Sequence, residues 1–169
     1  MENTKIAFEI AGFGIINAEL YPEKAPLTVE NFTGLIKKGF FDGLIFHRVI
    51  EGFMIQGGGY DVEMHHHDAP SIKGEFASNG FSQNDLKHTR GTLSMARTNI
   101  PDSASSQFFI MHKDSPHLDG AYAALGRVTD DASLAVVDKI AAVPTGRYGF
   151  YMADVPHEPV VITRAYIVL

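Results

Sequence analysis

The chain contains no cysteine, which excludes a disulfide framework, a cysteine-ligated zinc site and a thiol nucleophile. It also lacks any run that approaches the ~20 apolar residues of a membrane helix. The net charge of −6 is spread along the chain rather than gathered in a block of one sign. Together these absences argue against binding to nucleic acid or to a membrane surface.

What is present is enough for one folded domain. The length of 169 residues is ordinary for a domain, and 45% apolar residues can form a real core. No internal repeat, low-complexity segment or linker divides residues 1–169, so we predict a single domain. The N-terminal sequence MENTKIAFEI lacks the basic and apolar segments of a signal peptide. We therefore expect a cytoplasmic protein, with the periplasm as the alternative if a leader has been removed.

Hydrophobic periodicity predicts two helices among many short strands. The first helix begins at Pro26 and ends before Gly39, because proline suits the first turn of a helix and glycine its C-terminal end. The second covers about Ser133 to Ile140. The strand candidates are Thr4–Ile10, Gly14–Leu20, Ile45–Ile50, Phe53–Gln56, Thr92–Ala96, Gln107–Met111, Ala123–Val128 and Val160–Val168. Helices do not alternate with these strands, so we predict an antiparallel barrel or sandwich rather than a parallel sheet.

Two glycine-rich segments begin like phosphate-binding loops. Gly12-Phe13-Gly14 is followed by Asn17 where a dinucleotide fingerprint has its third glycine, and no helix follows. The segment GGG at residues 57–59 lacks the lysine and hydroxyl residue of a nucleotide-binding P-loop. Both segments are better interpreted as turns.

The histidine run His65–His67 is a candidate metal site. Adjacent side chains of an extended chain point to opposite sides, however, so three in a row rarely converge on one ion. Asp61, Glu63 and Asp68 could supplement the histidines, but neither the spacing nor outer-shell support for a metal site is present. We interpret the run as a solvated loop and predict no metal and no cofactor.

Serine hydrolysis is also weakly supported. Serines and histidines that could act as nucleophile and base are Ser94, Ser103, Ser105, Ser106, His88 and His112. The sequence has no G-x-S-x-G elbow, and the order of these residues does not mark a catalytic triad. We do not predict a serine nucleophile.

Arg48 lies in FHRVIEGFMIQGGG, residues 46–59, among apolar residues. An isolated arginine on an amphipathic strand is ordinarily a surface charge, but Arg48 is accompanied by apolar residues and by side-chain amides. The accompanying apolar residues and side-chain amides are Phe53, Met54, Phe108, Phe109, Gln56 and Gln107. They lie on predicted strands, where geometry is firmer than on loops. The combination predicts an apolar pocket with one fixed cation and no acid–base pair, suited to binding a neutral ligand and polarising one of its atoms.

Four blocks of sequence resemble the cyclophilins, a family of peptidyl-prolyl cis/trans isomerases. They are FHRVIEGFMIQGGG, KHTRGTLSMART, SSQFFIM and HLDGAYAALGRV. The resemblance covers nearly the whole chain in the family's order and spacing, and MARTNIPDSASSQFF and VPTGRYGFYMADVP are similar to the bacterial form. It implies a mainly β fold, a closed eight-stranded antiparallel β-barrel capped by two α-helices. It also implies an enzyme that accelerates rotation about X–Pro bonds without a cofactor or a covalent intermediate.

The resemblance also implies roles for individual residues. Arg48 is similar to the family's catalytic arginine, and Gln56 to the glutamine that orients it. The catalytic set implied in this way is Arg48, Phe53, Gln56, Phe109 and Tyr122. The substrate-binding set, which forms the proline pocket and the peptide groove, is Met54, Ala96, Arg97, Gln107, His117 and Leu118.

Two residues depart from the family pattern. Tyr122 occupies a position often held by histidine, and it still offers a ring and a hydrogen-bonding hydroxyl. His117 occupies a position often held by a tryptophan that helps to bind cyclosporin. We therefore expect weak cyclosporin binding. The expected partners are proline-containing peptides and unfolded or flexible protein segments, bound by a monomer that assists folding.

Two other functions stay open at this point. The first is a binding module that holds a proline-containing segment without turnover, for which the apolar pocket alone would suffice. The second is a metal-dependent hydrolase that uses the His65–His67 loop and that a chelator would inhibit. The presence of Arg48 and Gln56 favours the isomerase over the binding module. We expect no loss of activity with a chelator, which argues against the hydrolase.

Overall fold

The computed structural model of the chain describes residues 2–169. Its helices and strands are β1 (Thr4–Ile10), β2 (Gly14–Leu20), α1 (Pro26–Lys37), β3 (Arg48–Ile50), β4 (Met54–Gly57), β5 (Thr92–Met95), β6 (Phe108–Met111), β7 (Ala124–Val128), α2 (Asp131–Ala141), β8 (Thr145–Tyr148), β9 (Met152–Pro156) and β10 (Ile162–Ile167). Eight strands form one antiparallel sheet in the order β10-β1-β2-β7-β5-β6-β4-β3, while β8 pairs with β9 in a separate hairpin. In the described residues, no helix is long and apolar enough to cross a membrane.

The eight-stranded sheet is curled but open, so the prediction of a closed barrel is wrong. β10 and β3 lie at the two ends of the strand order and form no ladder with each other. The predicted strand Ile45–Ile50 is regular only from Arg48 onward, and its three residues are too few to extend the ladder to β10. The gap is spanned instead by an isolated bridge between Ile45 and Val161 and by a hydrogen bond of 3.0 Å from the Phe46 amide to the Val160 carbonyl.

The inner face of the curled sheet carries the main apolar core. Successive side chains of a strand point to opposite faces, so Phe108 and Ile110 of β6 belong to this core. The ring of Phe108 contacts four other aromatic rings, those of Phe8, Phe32, Phe41 and Phe46. Phe108 is therefore a core residue. The prediction that it lies in an apolar pocket with Arg48 is wrong.

Both helices bury one face against the same core. α1 begins at Pro26, as predicted, and its buried residues are Thr28, Val29, Phe32, Leu35 and Ile36. α2 begins before the predicted Ser133, because the Asp130 carboxylate caps it by accepting a hydrogen bond of 2.7 Å from the Ser133 amide. On α2, Val136 is buried, whereas Leu134 is only half-buried.

The hairpin of β8 and β9 is the element that periodicity did not predict. Its residues are mostly exposed or half-buried, so no alternation of apolar and polar side chains marks the two strands. β9 lies beside β3, the short edge strand that carries Arg48. The hairpin thus covers an edge that would otherwise present unpaired backbone groups to solvent.

Candidate active site

The outer face of the sheet carries a row of side chains that crosses four strands. Arg48 on β3 is paired with Gln56 on β4. Gln56 is in turn paired with Phe109 on β6, and Phe109 with Ser94 on β5. Directly opposed residues of neighbouring strands point to the same face. Strand pairing therefore brings Arg48 and Phe109 together although the chain separates them widely.

Nine of the predicted site residues line one cavity of about 140 Å³ on this face. They are Arg48, Phe53, Met54, Gln56, Ala96, Arg97, Phe109, Leu118 and Tyr122. The apolar wall is buried, since Met54, Phe109 and Leu118 are 1%, 5% and 8% exposed. Arg48 is exposed and lies at the rim. A cavity of this size admits one small side chain rather than a drug-sized molecule.

One side-chain amide bonds the Arg48 guanidinium, and a second bonds the first. Gln56 Oε1 accepts a hydrogen bond of 3.3 Å from Arg48 Nη1, and Gln56 Nε2 donates to Gln107 Oε1 at 3.0 Å. Gln107 packs directly on Gly59, where a Cβ would lie 2.5 Å from its Nε2 atom. Any larger residue at this third glycine of the GGG segment would displace the Gln107 side chain. Within residues 2–169, the Arg48 side chain makes no hydrogen bond besides the one to Gln56.

Arg97 is fixed more tightly than a residue that only lines a groove. Its Nε and Nη2 atoms donate to the Ala121 carbonyl at 3.1 and 2.8 Å. Its guanidinium also lies 4.8 Å from the ring centroids of both Phe76 and Tyr122, within the range of cation–π contact. Arg97 therefore ties the loop that carries Tyr122 to the rest of the pocket.

The remaining two predicted residues lie next to the cavity. His117 is exposed, and its ring lies 6.1 Å from that of Phe53 with the planes 27° apart. It therefore borders the pocket by stacking on Phe53. Gln107 lines an adjacent cavity of about 260 Å³, which shares Gln56, Ala96 and Arg97 with the first.

A hydrogen-bonded chain of Ser94, His88 and Asp119 lies behind Phe109. The sequence offered Ser94 and His88 only as separate candidates among several serines and histidines, and it did not indicate Asp119. His88 Nε2 lies 2.8 Å from Ser94 Oγ, and His88 Nδ1 lies 3.1 Å from Asp119 Oδ1. The distances are those of a nucleophile, a base and an orienting carboxylate, but Ser94 is fully buried and no substrate can reach it. Burial lowers the pKa of His88, and the contact with Asp119 only partly opposes this. The chain supports Phe109, whose ring stacks 6.0 Å from that of His88.

His47, next to Arg48, is a second buried histidine. Its ring centroid lies 4.7 Å from that of Tyr60, and Nδ1 has no hydrogen-bond partner in the described part of the chain. Burial, with smaller contributions from Arg48 and His66, lowers the pKa of His47 to about 4. His47 is therefore neutral near pH 7, and of these two neighbours only Arg48 is charged.

The histidine run divides between two neighbours, as the alternation of an extended chain requires. His65 and His67 approach the Asp61 carboxylate at 3.9 and 2.8 Å, and the hydrogen bond from His67 lowers the pKa of Asp61. His66 instead lies against Tyr60, with ring centroids 5.1 Å apart. Residues 2–169 contain no group of three or more histidine, cysteine or acidic residues arranged to hold a metal ion.

The site is an apolar pocket on the outer face of a curled antiparallel sheet, with the Arg48 guanidinium at its rim. A pocket of this kind suits the class of proteins that bind a small neutral group beside a permanent cation. Comparison with known proteins makes this class specific. Residues 5–167 match the family model described as cyclophilin type peptidyl-prolyl cis-trans isomerase/CLD. The chain belongs to this family.

Relatives of the chain include bacterial enzymes. It is 46% identical to a peptidyl-prolyl cis-trans isomerase of Acinetobacter baylyi, over 99% of this chain and 87% of that protein. It is 45% identical to peptidyl-prolyl cis-trans isomerase B of Escherichia coli, over 88% of this chain and 91% of that one. The activity is therefore that of a peptidyl-prolyl cis-trans isomerase, and the predicted family and enzyme class are confirmed.

Solved structures agree on the fold. The chain superimposes on a Cryptosporidium parvum cyclophilin type peptidyl-prolyl cis-trans isomerase with a TM-score of 0.81 and 24% identity, covering 99% of both chains. A structure of such a C. parvum isomerase in the presence of the dipeptide Ala-Pro gives a TM-score of 0.79 and 25% identity, over 98% of this chain and 99% of that one. The mainly β architecture with two helices is thus confirmed, with an open sheet in place of the expected closed barrel.

Proposed function

We propose that Arg48 accelerates rotation about X–Pro bonds by donating a hydrogen bond to the proline nitrogen of the twisted amide. Resonance in the planar amide produces a barrier of about 18–20 kcal/mol, and uncatalysed exchange takes tens to hundreds of seconds. Twisting breaks the resonance, so the nitrogen becomes pyramidal and regains a lone pair. A donor aimed at this nitrogen binds the twisted state far better than the planar one, which is the condition for catalysis.

The observation that supports this proposal is the position of Arg48 at the rim of a buried apolar wall. One hydrogen bond to Gln56 fixes the guanidinium and leaves its other N–H groups free. Met54, Phe109 and Leu118 offer the apolar surface that a proline ring needs. Arginine is always protonated and its planar fork is rigid, so it can donate at any physiological pH without reorganising.

The hydrogen bond alone accounts for part of the acceleration. A charge-assisted hydrogen bond contributes about 1.5–3 kcal/mol in net terms, whereas an acceleration of several thousandfold needs about 5 kcal/mol. The remainder comes from holding the proline ring and one flanking peptide unit while the other unit rotates. No proton is transferred and no covalent bond is broken, so this mechanism requires no cofactor.

We propose that the substrates are proline-containing segments of unfolded or flexible protein chains, and that the protein assists folding. The pocket is open at the surface and continues into the adjacent cavity through Gln56 and Arg97, which suits an extended chain rather than a free amino acid. The C. parvum relative solved in the presence of Ala-Pro supports a peptide substrate of this kind.

The test is exchange spectroscopy on a short Xaa-Pro peptide with the parent protein and three variants. We expect R48A to lower kcat/KM by at least about tenfold, the share of one charge-assisted hydrogen bond. R48K should recover only part of the activity, because an ammonium lacks the fork. K38A removes an exposed charge outside the pocket and serves as the control. An R48A protein with an intact fold and the parent's exchange rate would refute the mechanism.

A further inference from the structure

His112 holds the turn between β3 and β4 at two points, although it does not line the pocket. Its backbone amide donates to the Phe53 carbonyl at 2.9 Å. Its imidazole Nδ1 accepts a hydrogen bond of 2.9 Å from the Gly52 amide. The residue is buried, so these bonds are made away from bulk water. His112 is therefore the acceptor for the Gly52 amide and the nearer of two backbone donors to the Phe53 carbonyl, the other being the Lys113 amide at 3.4 Å.

The orientation of the imidazole is set by α2. His112 Nε2 lies 3.1 Å from Asp138 Oδ1. The same carboxylate accepts hydrogen bonds of 2.6 and 3.1 Å from Arg90, and this arginine lowers the pKa of Asp138. An ionised acceptor beside Nε2 places the ring proton on that nitrogen and leaves the Nδ1 lone pair for the Gly52 amide. The tautomer thus follows from the partners on both sides.

We propose that His112, oriented by Asp138, is a positioning residue that fixes the β3–β4 turn and thereby the placement of Arg48 relative to Phe53. This inference rests on the proposed role of Arg48. The turn directly connects the strand that carries Arg48 to the residues that build the pocket wall. Gly52 has a φ of +82° and no side chain with which to anchor the turn. The constraint comes instead from His112 on the neighbouring segment.

Two substitutions separate the two side-chain contacts. In H112N the amide oxygen takes the place of Nδ1 and can still accept from Gly52. In H112Q the amide reaches the place of Nε2, so it can contact Asp138 but leaves the Gly52 amide without its acceptor. Because small misplacements of a site cost large factors in rate, we expect H112Q to lower kcat/KM by about tenfold. H112N should stay within about twofold of the parent, since it keeps the bond that fixes the turn.

The control for a general loss of stability is I140V. It shortens a fully buried core side chain on α2 and destabilises the fold by about as much as loss of one hydrogen bond. We expect I140V to keep the kcat/KM of the parent at a temperature where all variants are folded. An equal loss of activity in I140V and H112Q would show that the effect is general destabilisation and would overturn the inference.

An independent readout is the hydrogen-exchange rate of the Gly52 amide, measured by NMR. We expect this amide to be protected in the parent and in H112N and to exchange faster in H112Q. If H112Q loses the protection but keeps the activity of the parent, or if H112N keeps the protection but loses activity as H112Q does, the inference is wrong. If R48A is as active as the parent, the proposed mechanism fails instead, whatever the His112 variants show.

Discussion

His117 distinguishes this pocket from the tryptophan-bearing cyclophilins that its sequence resembles. The imidazole stacks on Phe53 and is exposed, but it is small and polar and so offers little apolar surface to a large ligand. An indole in its place would bury about 60 Å² more, which corresponds to about 1.5 kcal/mol at the usual coefficient. We therefore expect His117 to have more influence on the binding of a large inhibitor than on that of the proline ring.

We predict weak cyclosporin binding by the parent and an affinity at least about tenfold higher in H117W. Calorimetric titration of both proteins is the measurement, with H117A as the control that should bind as weakly as the parent. The peptide exchange rate should change little in H117W, because Arg48 and the buried wall are untouched. Equal cyclosporin affinities for the parent and H117W would contradict this account.

Motifs predict the residues of the pocket wall better than their supporting contacts. Even for the wall, the prediction from motifs is incomplete, as Phe108 and Phe109 show. Both are apolar, and only the phase of strand alternation decides which of them faces the pocket. Supporting contacts are harder still. His112 lies 60 residues from Gly52 in the chain, and a hydrogen bond over that distance leaves no periodic signal in the sequence. Ser94 and His88 were named among several candidate serines and histidines, but nothing in the sequence connected them to each other or to Asp119.

At the scale of elements, Arg97 connects the end of β5 to the pocket loop that follows Leu118. It combines two hydrogen bonds to one carbonyl with contact to two rings. Lysine could keep the charge but neither the paired hydrogen bonds nor the stacking of a planar group. The loop therefore depends on the shape of the guanidinium and not only on its charge.

We predict that R97K lowers the free energy of unfolding by about 1–2 kcal/mol. It should also lower kcat/KM several-fold, since Leu118 and Tyr122 are less firmly placed. Urea unfolding and peptide exchange measure the two effects, and R97M provides the comparison in which the charge is lost as well. If R97K has the urea midpoint and the activity of the parent, then a point charge suffices. The paired hydrogen bonds and ring contacts of Arg97 would then not be what positions the loop.

Elements with one buried face were predictable, and exposed ones were not. β1 and β2 have the predicted bounds. Burial alternates along most of β2, whereas in β1 the small Ala7 is buried together with Ile6 and Phe8, and only the sequence pattern of polar and apolar residues alternates. β8 and β9 lack such a face, so their pairing follows from tertiary context alone. The closed barrel was implied by the family resemblance and not by the strand candidates themselves. It is wrong because β3 is regular only over Arg48–Ile50 and forms no ladder with β10.

For the whole molecule, the two faces of the sheet have different roles. The inner face and the helices build the stable core, while the outer face carries a smaller cluster of Met54, Phe109, Met111 and Leu118. All of these except Met111 line the pocket. His47 precedes Arg48 and is buried, with an unpaired nitrogen. A buried histidine of this kind makes the stability of the entire fold depend on pH. The proposed chemistry transfers no proton and does not itself depend on pH.

The direction of that dependence follows from the lowered pKa of His47, about 4 in the fold against 6.5 for the free side chain. Between these values the unfolded chain binds a proton at His47 that the folded chain does not, so acidification favours unfolding. The stabilisation is complete above about pH 6.5 and is lost as the pH falls to about 4, by about 3 kcal/mol in total. Burial lowers the pKa of His88 in the same direction and adds to the loss.

We therefore predict that acidification lowers the free energy of unfolding less in H47F than in the parent. The difference should be about 3 kcal/mol between about pH 7 and about pH 4, measured by urea unfolding. Phenylalanine keeps a ring beside Tyr60 and removes both the titration and the unpaired nitrogen. The comparison uses the slope with pH, so a difference in absolute stability does not affect it. I140V, which changes no titratable group, should keep the parent's slope. A parent and H47F with the same slope would mean that His47 is protonated as readily in the fold as in the unfolded chain, and that its burial has no electrostatic consequence.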